Sequence, residues 1–196
     1  PVVYGDYTIF VAEVASTVNE ILLSDYQIKN EKDNKKKAEL LYELLEMIRA
    51  TLFRQAMFAE FEKDVHDKIE NNVMLSADDL NDMYYKLNQK YFGPDVNIDE
   101  QIKYEWARIP HFYYNFYVYQ YATGFSAAIA ISSKILAGEP GIVEKYKQFL
   151  SGGCSMDPID LLKICGVDMT KPEPVEEALD VFASYVEELE KLTAEA

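Results

Sequence analysis

The stretch "HFYYNFYVYQYATG", residues 111–124, holds five tyrosines and two phenylalanines within the eleven residues that begin at His111. A buried helix is usually built from Leu, Ile and Val, which carry no hydroxyl group in need of a hydrogen-bond partner. Helical spacing (i, i+3, i+7) would place Tyr114, Tyr117 and Tyr121 on one stripe. Phenol groups and an imidazole that line one cavity are suited to hydrogen-bond a substrate carbonyl, and more strongly the oxyanion that develops when it is attacked.

A structural interpretation of the same tyrosines is also open. They could belong to a core helix whose phenol groups end in surface water. Tyr119 falls on the opposite side of such a helix, so at least one phenol points away from the stripe. The spacing alone therefore leaves packing and chemistry as alternatives.

A second candidate lies near the start of the chain, in "FVAEVASTVNE". Glu13 stands in a largely apolar stretch, and Glu20 falls seven residues later on nearly the same helix face. A carboxylate in apolar surroundings is costly unless it is paired, protonated or bound to a cation. Glu13 is thus a candidate metal ligand with Glu20 as an outer partner, or else part of the solvent stripe of an amphipathic helix. A zinc site needs about three protein ligands, so one glutamate does not make one.

No other motif completes either site. The second histidine, His66, lies among acids and lysines in "EFEKDVHDKIE" and is expected at the surface. The chain contains no H-E-x-x-H, G-x-S-x-G, P-loop or G-x-G-x-x-G motif. Cys154 and Cys165 form no C-x-x-C pair and are expected to be small buried side chains. Two cysteines are too few for a disulfide framework, which favours a reducing cytoplasm.

Composition narrows the class of protein. The formal net charge of −15 argues against nucleic acid and against anionic membrane surfaces as partners. The longest strongly apolar stretch is far shorter than a membrane span. The chain opens on "PVVYGDYTIF", without an initiator Met, so we expect it to be part of a longer protein.

The elements that must position these residues are helical, because apolar residues recur at intervals of three and four and no useful strand alternation occurs. Start and stop signals are the S-x-x-D pattern at Ser76, the break at Gly93–Pro94, and prolines in the first turns of the last two helices. The predicted helices cover about residues 8–28, 36–70, 77–92, 99–108, 112–136, 141–150, 158–165 and 174–192. The sequence therefore predicts an all-α fold, with 1–196 as a single helical lobe.

Several segments together resemble the carboxyl-terminal part of an oligoendopeptidase F, in the M3 (thimet oligopeptidase-like) family of zinc metallopeptidases. They are "VYGDYTIFVAEVASTVNE", "TLFRQAMFAEFE", "IPHFYYNFYVYQYATGFSAAIAIS", "FLSGGCSMDPIDLLKICGVDM" and "PEPVEEAL". The resemblance spans nearly the whole chain. It implies a multi-helix catalytic lobe without the upstream H-E-x-x-H helix, and a loop at Gly152–Gly153 near the cleft.

The resemblance also implies roles for the acidic candidates. In the family, H-E-x-x-H supplies two zinc histidines and the general base, and a glutamate on a later helix completes the zinc site. Glu13 matches that glutamate, the third zinc ligand. Glu20 matches an acidic position that would orient a zinc histidine from outside the ligand shell.

For the aromatic stretch, the resemblance implies the region that binds substrate and stabilises the tetrahedral intermediate. His111 and Tyr121 are expected to contact substrate. Tyr114 and Tyr117 are assigned by spacing as the main oxyanion donors. All four line one wall of a peptidase cleft, whose opposite wall this chain does not contain.

The implied function is that of a zinc-dependent metalloendopeptidase hydrolysing short peptides. Zinc is expected in the full-length enzyme and not in this chain alone, which should be inactive without H-E-x-x-H. The chain alone is expected to self-associate, because apolar surface would lie bare where the missing part packs. The alternative is a non-catalytic, acidic helical module that binds a peptide or a partner helix in the tyrosine groove.

Overall fold

The computed structural model describes residues 2–194. Within that range every regular element is helical and no strand occurs, which confirms the all-α prediction. The α-helices are α1 (Ile9–Asn30), α2 (Asn34–Ile48), α3 (Arg54–Glu70), α4 (Ala77–Phe92), α5 (Tyr119–Leu136), α6 (Ile142–Gly152), α7 (Pro158–Ile164) and α8 (Glu173–Ala194). Shorter 3-10 segments cover Val2–Tyr4, Glu100–Arg108 and Pro110–Tyr113.

Helix α4 forms where the sequence predicts it, because both of its ends carry strong local signals. The Ser76 hydroxyl accepts a hydrogen bond from the Asp79 backbone N–H at 3.2 Å, and the Asp79 carboxylate accepts one from the Ser76 N–H at 2.8 Å. This reciprocal pair is a capping box, which satisfies two N–H groups that helix geometry leaves open. Gly93 ends the helix with a φ of 75°, a conformation that glycine adopts without steric cost.

The long helix predicted over 36–70 is wrong in one respect. A π-helical turn at Arg49–Phe53 divides it into α2 and α3. The apolar repeat runs through the turn, with Ile48 and Leu52 both buried, so the sequence pattern gives no warning of it. A π turn holds one residue more than a turn of α-helix.

Contacts divide the chain into two compact units, the first made of residues 1–52 and 123–196. In this unit α2 packs against α1 and α8, and the Tyr146 hydroxyl fastens α6 to α1 by donating to the Ala15 carbonyl at 3.2 Å. The loop after α6 reaches the segment that precedes α1, where the Cys154 N–H donates to the Tyr4 carbonyl at 3.1 Å. The expectation that both cysteines are buried holds for Cys165 and is wrong for Cys154, which is exposed beside this contact.

The second unit comprises residues 53–122 and has an aromatic core. It is built from side chains of α3 and α4 and of the chain that follows them: Met57, Phe58, Phe61, Tyr84, Leu87, Ile109 and Val118. Phe61 meets Tyr84 edge-on, with ring centroids 5.3 Å apart, a favourable geometry for aromatic pairs. The single lobe expected for 1–196 stays a prediction.

Among the helices described, none is long and apolar enough to cross a membrane.

Candidate functional site

The tyrosine-rich segment is not one continuous helix, so the helix predicted over 112–136 is wrong at its start. Pro110–Tyr113 forms a 3-10 turn, in which the Tyr114 N–H donates to the His111 carbonyl at 3.0 Å. Asn115 and Phe116 then have φ angles of 35° and 58°. Left-handed residues cannot continue a right-handed helix. Helix α5 therefore begins only at Tyr119, and of the three stripe tyrosines only Tyr121 lies on it.

The turn nevertheless brings His111, Tyr117 and Tyr121 together. The His111 ring stacks on the Tyr117 ring with centroids 5.3 Å apart and planes 10° from parallel. The Tyr121 hydroxyl lies 3.3 Å from His111 Nε2 and 3.5 Å from the Tyr117 hydroxyl. Two phenol groups and one imidazole thus lie close together. They do not share one helix, because His111 and Tyr117 precede α5 and only Tyr121 lies on it.

The other tyrosines of the segment lie further out. The Tyr114 ring centroid is 6.2 Å from that of Tyr117, and 64% of the Tyr114 surface is exposed. Tyr113 is exposed and its hydroxyl donates to the Ala107 carbonyl at 3.2 Å. Tyr119 is half exposed at the first residue of α5. We define His111, Tyr117 and Tyr121 as the phenol–imidazole cluster, with Tyr114 at its edge.

A buried carboxylate fixes the segment that leads into the cluster. Glu105, in the 3-10 segment Glu100–Arg108, accepts hydrogen bonds from Arg54 of α3 at 2.7 Å and from the Tyr84 hydroxyl of α4 at 2.7 Å. Burial opposes ionisation of Glu105, but these two donors and the charges of Arg54 and Arg108 hold its pKa below the ordinary value. Burial and the neighbouring Glu105 carboxylate raise the pKa of the Tyr84 phenol. The segment that precedes His111 is therefore bonded to both α3 and α4 through Glu105.

The acidic candidates lie on α1 in the first unit. Glu13 is partly buried between the buried Val11 and Val14, whereas Glu20 is exposed. Seven residues advance about 10 Å along a helix axis, so the two carboxylates are on one face and on different levels of it. Glu20 lines an open groove formed by residues of α1 and α2, among them Leu23.

The sequence profile of peptidase family M3 matches residues 1–181. The chain belongs to peptidase family M3. The resemblance inferred from the sequence is thereby confirmed.

Individual M3 relatives cover nearly all of the chain. It is 53% identical over 192 residues to oligopeptidase PepF of Bacillus subtilis, and 44% identical over 192 residues to an oligoendopeptidase F homolog of Lactococcus lactis. The crystal structure of oligoendopeptidase-F from Enterococcus faecium matches it with a TM-score of 0.92 and 47% identity over 99% of this chain.

The chain is much shorter than these M3 relatives. It spans 29% of the Bacillus subtilis protein, 32% of the Lactococcus lactis protein and 37% of the Enterococcus faecium structure. This coverage agrees with the expectation that the chain is part of a longer protein.

A metal centre needs a set of donor side chains that lie close together. Among residues 2–194, no three His, Cys, Asp or Glu side chains lie together in a group that could hold a metal ion. Glu13 offers a carboxylate, a suitable zinc ligand, but one carboxylate is only part of a ligand set. The described residues therefore do not fit a complete zinc centre.

Sequence reasoning missed Glu62 of α3, whose carboxylate accepts a hydrogen bond from the Phe116 N–H at 2.7 Å. Glu62 was hidden in a run of acids and lysines that suggested a solvated helix face. The signal was present in the apolar repeat, because Phe58 lies one helical turn earlier and is buried. His66, expected at the surface, is partly buried and packs its ring on Phe116.

Proposed function

We propose that the chain is the carboxyl-terminal catalytic part of a zinc metalloendopeptidase that hydrolyses short peptides. The observation that carries this proposal is the convergence of the Tyr117 and Tyr121 hydroxyls beside His111, in a chain of the M3 family. The peptidase names of its relatives support the reaction class. Because the chain spans only about a third of those relatives, we propose that it belongs to a longer, full-length protein.

The cluster would serve the reaction through its hydrogen-bond donors. Tyr117 and Tyr121 each carry one O–H group, and His111 stacks on one ring and lies within hydrogen-bond distance of the other hydroxyl. A phenol aimed at a peptide carbonyl binds the ground state weakly and the oxyanion more strongly, since negative charge develops on that oxygen. Among the donors, we place Tyr117 and Tyr121, which are both partly buried, before Tyr114, which is mostly exposed.

Glu13 would act as the third zinc ligand, completing a site whose two histidines come from outside this chain. When bound, zinc supplies a Lewis acid and an activated water molecule. The partial burial of Glu13 beside apolar neighbours supports this role, because such a carboxylate gains most from a cation. Glu20, one level along the same helix face, would orient a zinc histidine.

The proposal also concerns the activity, association and location of the chain. Residues 1–196 alone would hydrolyse no peptide, with or without added zinc, because the described residues supply only part of a ligand set. They would self-associate through apolar residues that are exposed here, among them Val3, Tyr7 and Ile9. The two free cysteines support a reducing, cytoplasmic location.

Metal content and rate measured together on the full-length protein would test the proposal. Glu13→Gln should lose bound zinc and activity in parallel, since an amide is a poor substitute for an anionic ligand. Glu20→Gln should keep most of its zinc and lose about 10- to 100-fold in affinity or rate. Glu39→Gln, at an exposed position of α2, is the control and should behave as wild type. Full zinc content with wild-type cleavage in Glu13→Gln would refute the ligand assignment.

A further inference from the structure

Among residues 2–194, an aromatic contact and a polar contact attach the loop that carries His111 and Tyr117 to α3. At the first, the Phe112 ring lies edge-on to Phe58, with centroids 5.4 Å apart, and edge-on to Phe61 at 5.3 Å. Phe112 directly follows His111, so this aromatic contact fixes the chain at the beginning of the loop. It belongs to the hydrophobic core of the second unit and is explained by packing.

The second attachment is polar. Glu62 is 5% exposed, and its carboxylate oxygen Oε1 accepts a hydrogen bond from the Phe116 N–H at 2.7 Å. One helical turn further along α3, the His66 ring lies against the Phe116 ring, with centroids 4.4 Å apart. Residues at i and i+4 share one helix face, so Glu62 and His66 hold the backbone and the side chain of the same loop residue.

The loop needs this attachment because of its backbone conformation. Asn115 and Phe116 are consecutive non-glycine residues with positive φ angles of 35° and 58°. Such angles bring Cβ close to the backbone, and they are rarest for bulky side chains such as phenylalanine. A strained backbone persists only where its surroundings determine it. The Glu62 carboxylate is a polar group that contacts this strained backbone, at the Phe116 N–H.

Tyr117 immediately follows the turn, and its ring stacks on His111. We propose that Glu62 is a positioning residue, which holds the Phe116 N–H and thereby sets the Tyr117 ring against His111 and its hydroxyl near that of Tyr121. Its effect on the rate rests on the proposed function, whereas its effect on the loop does not. What the loop requires from residue 62 is a hydrogen-bond acceptor at the right place, so the negative charge is dispensable.

The acceptor requirement gives a matched set of variants. Glu62→Gln keeps an acceptor oxygen of the same reach and removes the charge. Glu62→Met keeps the length of the side chain and removes the acceptor. Glu62→Ala also removes the acceptor but leaves the space empty, and it is the second variant if Met disturbs folding. All three are made in the full-length protein, with a peptide from α8 as the reference for global folding.

The first measurement is hydrogen exchange by mass spectrometry on the peptide that spans residues 112–118. We expect Glu62→Met and Glu62→Ala to exchange faster there by up to about tenfold, because the Phe116 N–H loses its acceptor, with the α8 peptide unchanged. Glu62→Gln should exchange as wild type. Unchanged exchange in both apolar variants would overturn the proposal.

The second measurement is the steady-state rate on a quenched-fluorescent peptide, with Tyr117→Phe as a partner in a double-mutant cycle. Glu62→Met should lower kcat by about tenfold or more with little change in KM, because the displaced hydroxyl acts in the transition state. In the Tyr117→Phe background the same change should cost much less. Equal losses in both backgrounds would show that Glu62 does not act through Tyr117. A wild-type rate in Tyr117→Phe together with faster loop exchange in Glu62→Met would refute the oxyanion role and uphold the positioning of the loop.

Discussion

The Tyr121 hydroxyl lies 3.3 Å from Nε2 of His111, although the two residues are ten positions apart in the chain and lie in different helices. Between the two residues the backbone leaves the helical conformation at Asn115 and Phe116, whose φ angles are positive. Tyr117, directly after that turn, stacks its ring on the imidazole of His111. The geometry of the cluster is therefore a property of the turn and of what holds it.

The phenol of Tyr84 should matter more for stability than an equivalent phenol at the surface. Tyr84 is fully buried and donates to Glu105 at 2.7 Å, while Tyr91 is 36% exposed and donates to Glu60 at 2.9 Å. Tyr84→Phe should lower the free energy of unfolding by about 1.5–3 kcal/mol, because a buried carboxylate loses a donor. Tyr91→Phe should lower the free energy of unfolding by less than about 1 kcal/mol, since water can replace the Tyr91 hydroxyl as a donor to Glu60.

Urea denaturation of the 196-residue chain measures both changes. Similar losses in the two variants would show that Glu105 recovers a partner when Tyr84 loses its hydroxyl.

Glu105 should make the chain sensitive to acid. Its folded pKa is below the unfolded one, so its contribution to stability is present above the ordinary value of about 4.3 and is lost as the pH falls through the folded pKa. Glu105→Gln should therefore lower the free energy of unfolding most near about pH 7, and the difference from wild type should shrink towards about pH 3.

The measurement is urea denaturation at several pH values. Glu144→Gln, which breaks an exposed pair with Lys147, is the control and should change stability by no more than about 0.5 kcal/mol at any of them. A difference between Glu105→Gln and wild type that does not vary with pH would contradict the ionised state assigned to Glu105.

Gly153 should tolerate substitution far less than another left-handed glycine. Gly138 and Gly153 have φ angles of 69° and 57°, but a Cβ at Gly138 would meet nothing, whereas one at Gly153 would lie 2.0 Å from the Tyr4 carbonyl oxygen. Gly138→Ala should cost about 1–2 kcal/mol for its backbone conformation alone. Gly153→Ala should cost a further ~1–3 kcal/mol, because the segment before α1 must move away. Equal unfolding midpoints for the two variants would show that this segment is not held against the loop.

The sequence predicted most successfully where structure depends on neighbouring residues. Helix α4 has a capping box at Ser76 and a glycine at its end, and both act within a few residues. The π turn at Arg49–Phe53 was missed, because the apolar repeat continues through it. The spacing of apolar residues along the chain does not indicate where one helical turn holds an extra residue.

The site shows the same division. The structure brings His111, Tyr117 and Tyr121 together, but the helical stripe predicted for Tyr114, Tyr117 and Tyr121 was wrong. The turn depends on Glu62, which lies 54 residues earlier in the chain and accepts the N–H that a helix would have used. A contact of that sequence separation cannot be read from spacing within the segment. The roles of Glu13 and Glu20 stay predictions.

The most direct test of the proposed function is the kcat of Tyr117→Phe in the full-length protein, on a quenched-fluorescent peptide and with zinc content measured. The change removes one hydroxyl and keeps the ring that stacks on His111. Tyr114→Phe and Tyr121→Phe are measured beside it to rank the donors, and Tyr119→Phe, at the half-exposed start of α5, is the control and should be near wild type.

Loss of one oxyanion donor should lower kcat and kcat/KM alike by about 10²–10³, or ~2.7–4 kcal/mol, with KM little changed. Wild-type kcat in Tyr117→Phe, Tyr121→Phe and Tyr114→Phe, each with normal zinc content, would show that these phenols serve packing and would contradict the proposed function of the cluster.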